Sequence, residues 1–182
     1  EFPDSIPMNE IRVLASHNSY KVEPTARTMK FINRFKSFLG EENQPFQLSY
    51  SHVPISDQLS TYHIRGLELD VYNDPKGGRY FKHRLNFFIP KQRVREEKYT
   101  KLKEPGFKII HIPDIDYQTN YLSLADALEE LNTWSLSNPK HAPIFVNIEL
   151  KGSALGDEAG ILRLFGYKKA IPFDRISLMQ MD

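Results

Sequence analysis

Apolar residues cluster in four short runs along the chain, at residues 11–19 (IRVLASHNS), 65–72 (RGLELDVY), 107–112 (FKIIHI) and 142–150 (APIFVNIEL). Each is rich in Ile, Val, Leu or Phe, as strands covered on both faces are, and each is read as a β-strand. Segments with helical spacing lie between and around them. Residues 56–64 (SDQLSTYHI) predict a helix capped by Ser56 or Asp57. Residues 123–137 (SLADALEELNTWSLS) predict another, with Ser123 and Asp126 spaced as a capping box. Leu124, Ala127, Leu128 and Leu131 form one face of that helix, and Trp134 is a further core position. Residues 157–170 (DEAGILRLFGYKKA) are a third candidate, and Phe31, Phe35 and Phe38 in residues 31–40 recur at helical spacing as a core face. Strands alternating with helices imply an α/β fold, a parallel sheet joined by right-handed crossovers. With no internal repeat, low-complexity tract or linker, residues 1–182 read as a single domain.

Polar residues interrupt this pattern at regular places. Side chains alternate along a strand, so Glu68 and Asp70 share one face while Leu67, Leu69 and Val71 take the other. In the last strand, Asn147, Glu149 and Lys151 oppose Val146, Ile148 and Leu150. Two carboxylates on a covered strand repel and are costly to desolvate unless a cation lies between them. A pairing of Lys151 with Glu149 would account for one strand alone. Acids near the ends of two strands, with His17–Asn18 and His111 ending the other two, point instead to a common site. In a closed parallel barrel such strand ends meet at one mouth. Asn18, Glu68, Asp70 and Glu149 offer only oxygens, which suits calcium or magnesium better than zinc. Histidines beside such a cation suit acid–base work near neutral pH, and Lys151 suits a phosphate. The residues by themselves reach metal-assisted phosphodiester chemistry.

Composition narrows this further. The 182 residues are 40% hydrophobic and 26% charged, enough for one sizeable core. The mean hydropathy is −0.49, and no window resembles a membrane-spanning helix. A formal charge of +1 gives no global bias toward nucleic acid. The absence of cysteine excludes disulfides, thiolate metal sites and a cysteine nucleophile. The opening EFPDSIPMNE has neither a basic start nor an apolar core, so any export signal is expected to have been removed. Charge is nonetheless polarised: residues 79–103 carry nine Lys or Arg against two Glu. A solvated loop is the plain reading of that run. The alternative is a membrane-facing loop in which Phe87, Phe88 and Ile89 enter the interface while Arg84, Lys91, Arg93 and Arg95 meet anionic headgroups. His52, His63, His83 and His141 have no acidic neighbours in sequence and are read as structural.

The motifs ASHNSY, QLSTYHIRGLELDVYNDPKGG, GFKIIHIPDIDY and WSLSNPKHAPIFVNIELK resemble, in order, those of calcium-dependent phosphatidylinositol-specific phospholipase C, its bacterial and fungal branch above all. The resemblance runs from about Ile11 to Lys151. It implies a TIM-type barrel that cleaves phosphatidylinositol to diacylglycerol and a cyclic inositol phosphate, at a peripheral membrane surface and outside the cytoplasm. It further implies that His17 stabilises the phosphoryl oxygens, His111 protonates the leaving glycerol oxygen, and Asn18, Glu68, Asp70 and Glu149 hold calcium. Lys151 would face the phosphate. Such a barrel has eight strands, whereas this chain accounts for about the first four βα units. The remaining half is expected from the same polypeptide, or else from a second chain. Two alternatives stand beside this one. A glycerophosphodiester phosphodiesterase shares the histidines, the ExD pair and NIELK, but usually has HR where this chain has His17–Asn18. An inactive headgroup-binding barrel would lack part of the catalytic set, none of which is missing up to Lys151.

Overall fold

The computed structural model describes residues 6–34, 36, 44–83, 89 and 96–151. Its core is built on strand β2 (Gly66–Asp74), which lies at the centre of a four-stranded sheet. Strand β1 (Ala15–Ser16) pairs with the start of β2 in parallel, Ala15 opposite Gly66. Gly66 permits this approach, since a Cβ there would stand 2.6 Å from that of Ala15. Strand β4 (Phe145–Lys151) runs parallel along the other edge, with Glu68 opposite Asn147, Asp70 opposite Glu149 and Tyr72 opposite Lys151.

Strand β3 (Gly106–Ile109) corrects the expectation of four parallel strands. It pairs antiparallel with the far end of β2, Asp74 opposite Gly106 and Val71 opposite Ile109. A parallel return needs a crossover, usually a helix, of a dozen residues or more. Among the described residues, only a 3-10 segment at Glu96–Lys103 lies between β2 and β3. The chain leaves β2 through a turn at Gly77, whose φ of 73° and close approach to the Lys103 carbonyl leave no room for a Cβ. The described sheet therefore holds three parallel strands and one returning ribbon, rather than four βα units.

Among the described residues, three α-helices accompany the sheet: α1 (Ala26–Arg34), α2 (Ile55–Ser60) and α3 (Leu124–Ser137). Leu67, Leu69 and Val71 of β2 are buried against Ile55 and Leu59 of α2 and Ala127 and Trp134 of α3. Each such Leu, Ile or Val side chain contributes roughly 1.5–3 kcal/mol through removal from water. The Ser123 capping box forms as its spacing predicts, Ser123 Oγ accepting from Asp126 N and Asp126 Oδ2 from Ser123 N, each at 3.2 Å. Leu128, expected on the buried face of α3, is 41% exposed, while Leu124 and Leu131 pack against the core. Helix α2 starts at Ile55, not after a Ser56 or Asp57 cap; its N-cap is Pro54, which offers no capping side chain. Tertiary partners replace the cap, as Tyr121 OH accepts from Ile55 N and Glu130 Oε1 from Ser56 N. In α1, Phe31 and Ile32 pack toward Ile89 and Ile115. Ile89 is thus buried, which removes it from the membrane-facing set. Phe35, Phe38, Arg84, Phe87, Phe88, Lys91, Arg93, Arg95 and the helix candidate at residues 157–170 lie outside the described residues.

Candidate active site

The site begins where β1 ends. The Ser16–Ser19 turn is held to β2 from two sides, because Ser19 N donates to the Glu68 carbonyl (3.0 Å) and Glu68 N to Ser19 Oγ (2.9 Å). Gln58 of α2 fixes the same turn, accepting from Ser16 Oγ and donating to the Ser19 carbonyl. Asn18 lies in the left-handed region (φ 50°), which Asn tolerates better than most residues. In this conformation its backbone N–H meets Glu68 Oε2 at 3.2 Å, and the His17 ring stands with Nε2 3.4 Å from the same oxygen. The Asn18 amide is bracketed by tyrosines: Tyr20 OH donates to Oδ1 (3.1 Å) and Nδ2 donates to Tyr50 OH (2.9 Å). The Tyr20 phenol is raised well above its ordinary range by burial and by Asp70 beside it, so it acts as a donor.

Glu68, Asp70 and Glu149 converge as their strand register dictates, with carboxylate oxygens within 4.8 Å of one another. Two oxygens each about 2.4 Å from one ion can be no more than about 4.8 Å apart, so the spacing of the trio allows all three to reach one cation of calcium's size. Asp70 strengthens the match. It is buried, and neither of its oxygens has a hydrogen-bond partner among the described residues. The Tyr20 hydroxyl, though adjacent, is committed to Asn18, and the Lys151 ammonium stands 3.7 Å away. Burial pushes the Asp70 carboxyl up to about 6, with Tyr20 and Lys151 opposing and Glu149 adding to the rise. Lys151 donates instead to Glu149 Oε1 at 2.7 Å and, as the largest cause, holds that carboxyl below its usual range. The Lys151–Glu149 pairing and the shared acidic site therefore coexist. A buried carboxylate beside two others, with no hydrogen bond of its own, fits an oxygen-binding cation.

His111 arrives by a route the sequence pattern did not suggest. Because β3 runs antiparallel, it carries the chain back from the far end of β2, and His111 follows two residues after its last paired position. Tyr72 OH donates to the His111 carbonyl at 3.1 Å, which ties this segment to β2. The ring is paired with Asp116, Nδ1 to Oδ2 at 2.7 Å. Asp116 is placed for this by a tight turn in which Ile112 and Asp116 exchange backbone hydrogen bonds. Its carboxylate is fully buried and also meets Lys21 at 3.3 Å. A carboxylate on Nδ1 fixes the tautomer and leaves Nε2 as the working nitrogen.

Asp116, Lys21, Tyr20, Tyr50, Ser19 and Gln58 were not picked out from the sequence. Asp116 had a visible signal, an acid five residues after His111 in HIPDID, whereas Tyr50 and Gln58 gave none. The other described histidines lie apart from the acids. His83 is buried and stacked on Tyr117 at 3.5 Å, and burial pushes it down to about 4. His141 bonds Ser135 and the Ala142 carbonyl, and His63 is exposed. His52 does touch the site, but only through the His17 carbonyl (2.9 Å). Beside His17 a cleft of about 630 Å³ opens between Ser16, Tyr50, Gln58 and Tyr62, a size suited to a small ligand.

The sequence matches the family described as "Phosphoinositide phospholipase C, Ca2+-dependent" over residues 6–182. No curated protein and no solved structure matches it. Among the described residues, no helix is long and apolar enough to cross a membrane.

Proposed function

Because this chain belongs to the calcium-dependent phosphoinositide phospholipase C family, we propose that it cleaves phosphatidylinositol to diacylglycerol and a cyclic inositol phosphate, using His17 and His111. Asp70 carries this reading, as a buried carboxylate with no hydrogen-bond partner among the described residues, clustered with Glu68 and Glu149. Glu68, Asp70 and Glu149, with the Asn18 amide oxygen beside them, would hold calcium. Bound there, calcium supplies positive charge to a phosphoryl oxygen and lowers the pKa of the inositol 2-hydroxyl.

The protein's own groups then divide the work. His17, 3.4 Å from Glu68 and opening on the cleft, donates to a phosphoryl oxygen as charge builds there. Glu68 or Glu149 takes the 2-hydroxyl proton as that oxygen attacks phosphorus. His111, its Nδ1 held by Asp116, passes the Nε2 proton to the departing glycerol oxygen. Lys151 lies on the same face and neutralises charge at the phosphate. The whole enzyme is read as a TIM-type barrel whose further strands come from the same polypeptide or from a second chain. The basic, aromatic stretch holding Arg84, Phe87, Phe88 and Lys91 is read as its membrane contact.

Phosphatidylinositol vesicles incubated with the full-length protein, with calcium or with a chelator, test this reading. Phosphorus NMR should show a cyclic inositol phosphate only when calcium is present. Absence of calcium-dependent cleavage refutes it, and preferential hydrolysis of glycerophosphoinositol would favour the glycerophosphodiesterase alternative.

A further inference from the structure

Lys21 is the most deeply buried cation near the site, with no exposed side-chain surface, and the mechanism above does not use it. Its ammonium donates to the Leu48 carbonyl (2.7 Å) and the Tyr50 carbonyl (3.2 Å) and forms an ion pair with Asp116 Oδ2 (3.3 Å). The charge also sits over the Tyr50 ring, 4.1 Å from its centroid. The backbone around it is zipped to the segment after Asp116, with Val22 N donating to the Gln118 carbonyl and Asn120 N to the Tyr20 carbonyl. Lys21 therefore cannot move independently of the His111 loop.

Asp116 explains why a cation is needed there. It has no exposed surface, and its Oδ2 serves both His111 and Lys21 while Oδ1 has no partner among the described residues. A carboxylate so placed is stable as an anion only with a countercharge close by. His111 cannot supply that charge throughout, since a general acid is neutral once its proton has gone to the leaving group.

We propose that Lys21 is a positioning residue for the leaving-group acid: it supplies the fixed countercharge that keeps Asp116 an acceptor, so that His111 holds Nδ1–H toward Asp116 and presents Nε2 to the substrate. This rests on the assignment of His111 as the acid. Lys21 touches no reacting atom and acts only through Asp116.

A leaving-group comparison in the calcium-loaded, full-length protein tests this. Phosphatidylinositol releases an alkoxide, which needs a proton; an inositol para-nitrophenyl phosphodiester releases a phenolate, which does not. Lys21→Met should lower turnover of the lipid about tenfold more than turnover of the aryl ester, a fraction of the roughly hundredfold or greater contribution of a general acid. Equal losses on both substrates would make Lys21 a purely structural pin and overturn the proposal. Should Lys21→Met not fold, the double variant Lys21→Met/Asp116→Asn removes both buried charges together. Its lipid-to-aryl ratio should equal that of Asp116→Asn alone, whereas a ratio that multiplies a further effect refutes action through Asp116.

Nitrogen NMR of the His111 ring provides a readout that needs no substrate. The wild-type neutral ring should show the Nδ1–H tautomer, and the folded Lys21 variant a mixture. An unchanged tautomer in that variant refutes the proposal, even if the native enzyme does not act on phosphatidylinositol.

Discussion

Asp70→Asn should stabilise the calcium-free protein and abolish most of its stabilisation by calcium. The side chain is 1% exposed, and its carboxyl is pushed from 3.8 to about 6, chiefly by burial. At about 1.36 kcal/mol per unit, that rise corresponds to about 3 kcal/mol of destabilisation once the group is ionised in the calcium-free fold. The sign follows from proton binding. The folded state holds the proton more tightly than the unfolded chain, so stability is lost as pH rises through the window from 3.8 to about 6 and is constant above it. Urea titrations in chelator at about pH 7.5 should therefore place Asp70→Asn about 3 kcal/mol above the native protein, and at about pH 4.5 only about 1 kcal/mol above it. Calcium at a hundredfold excess over its dissociation constant should add about 2.7 kcal/mol to the native protein and little to the variant. A variant less stable than the native protein in chelator at neutral pH, or one that keeps the full calcium response, would refute the assignment of Asp70 as a cation-seeking carboxylate.

Other changes have distinct readouts. His111→Ala should reduce lipid turnover on the order of a hundredfold or more while leaving calcium affinity, measured by calorimetry, unchanged. Glu149→Gln should weaken calcium binding without unfolding the protein, because that side chain is about half exposed (47%); unchanged affinity would remove it from the cation shell. Phe87→Ser with Phe88→Ser should lower sedimentation with anionic vesicles, and native binding should weaken with added salt. Intact vesicle binding together with a lower Tm would instead make those rings part of the core.

The strand pattern made much of the site legible and misled on one element. Glu68, Asp70 and Glu149 could be placed on one face because side chains alternate along a strand regardless of what surrounds it, and the parallel register of β2 with β4 then sets Asp70 opposite Glu149. The apolar run before His111 identified a strand but not its direction. Side chains alternate along a strand in the same way whichever direction it runs, so the periodicity carries no sign of the antiparallel return. His111 follows a ribbon folding back along β2 rather than a strand ending at a mouth, and its carbonyl accepts from Tyr72 OH of β2. Tyr50 and Gln58 were illegible because they act through long-range hydrogen bonds to Asn18, Ser16 and Ser19, contacts that no local periodicity encodes. Helix α2 was misread at its start for the same reason, its first amides being satisfied by Tyr121 and Glu130 from a distant part of the chain.

Asp70 and Asp116 are both almost fully buried, and the chain treats them differently. Asp116 receives a protein cation, Lys21, and an imidazole, both by direct contact. Asp70 makes no hydrogen bond among the described residues; the Lys151 ammonium forms an ion pair with it at 3.7 Å and is hydrogen-bonded to Glu149. A second lysine at hydrogen-bonding distance would have compensated Asp70 and removed any demand for a metal. The arrangement gives Asp116 a protein cation in direct contact and leaves Asp70 the member of the acidic trio with no hydrogen-bond partner among the described residues. In the proposed reading, charge compensation separates the cation-binding carboxylates on β2 and β4 from the proton-delivering pair, His111 and Asp116, in the segment after β3. Calcium removal should accordingly leave the His111–Asp116 hydrogen bond in place while abolishing turnover. Loss of the His111 Nδ1–H signature in chelator would show instead that the two halves are one coupled unit.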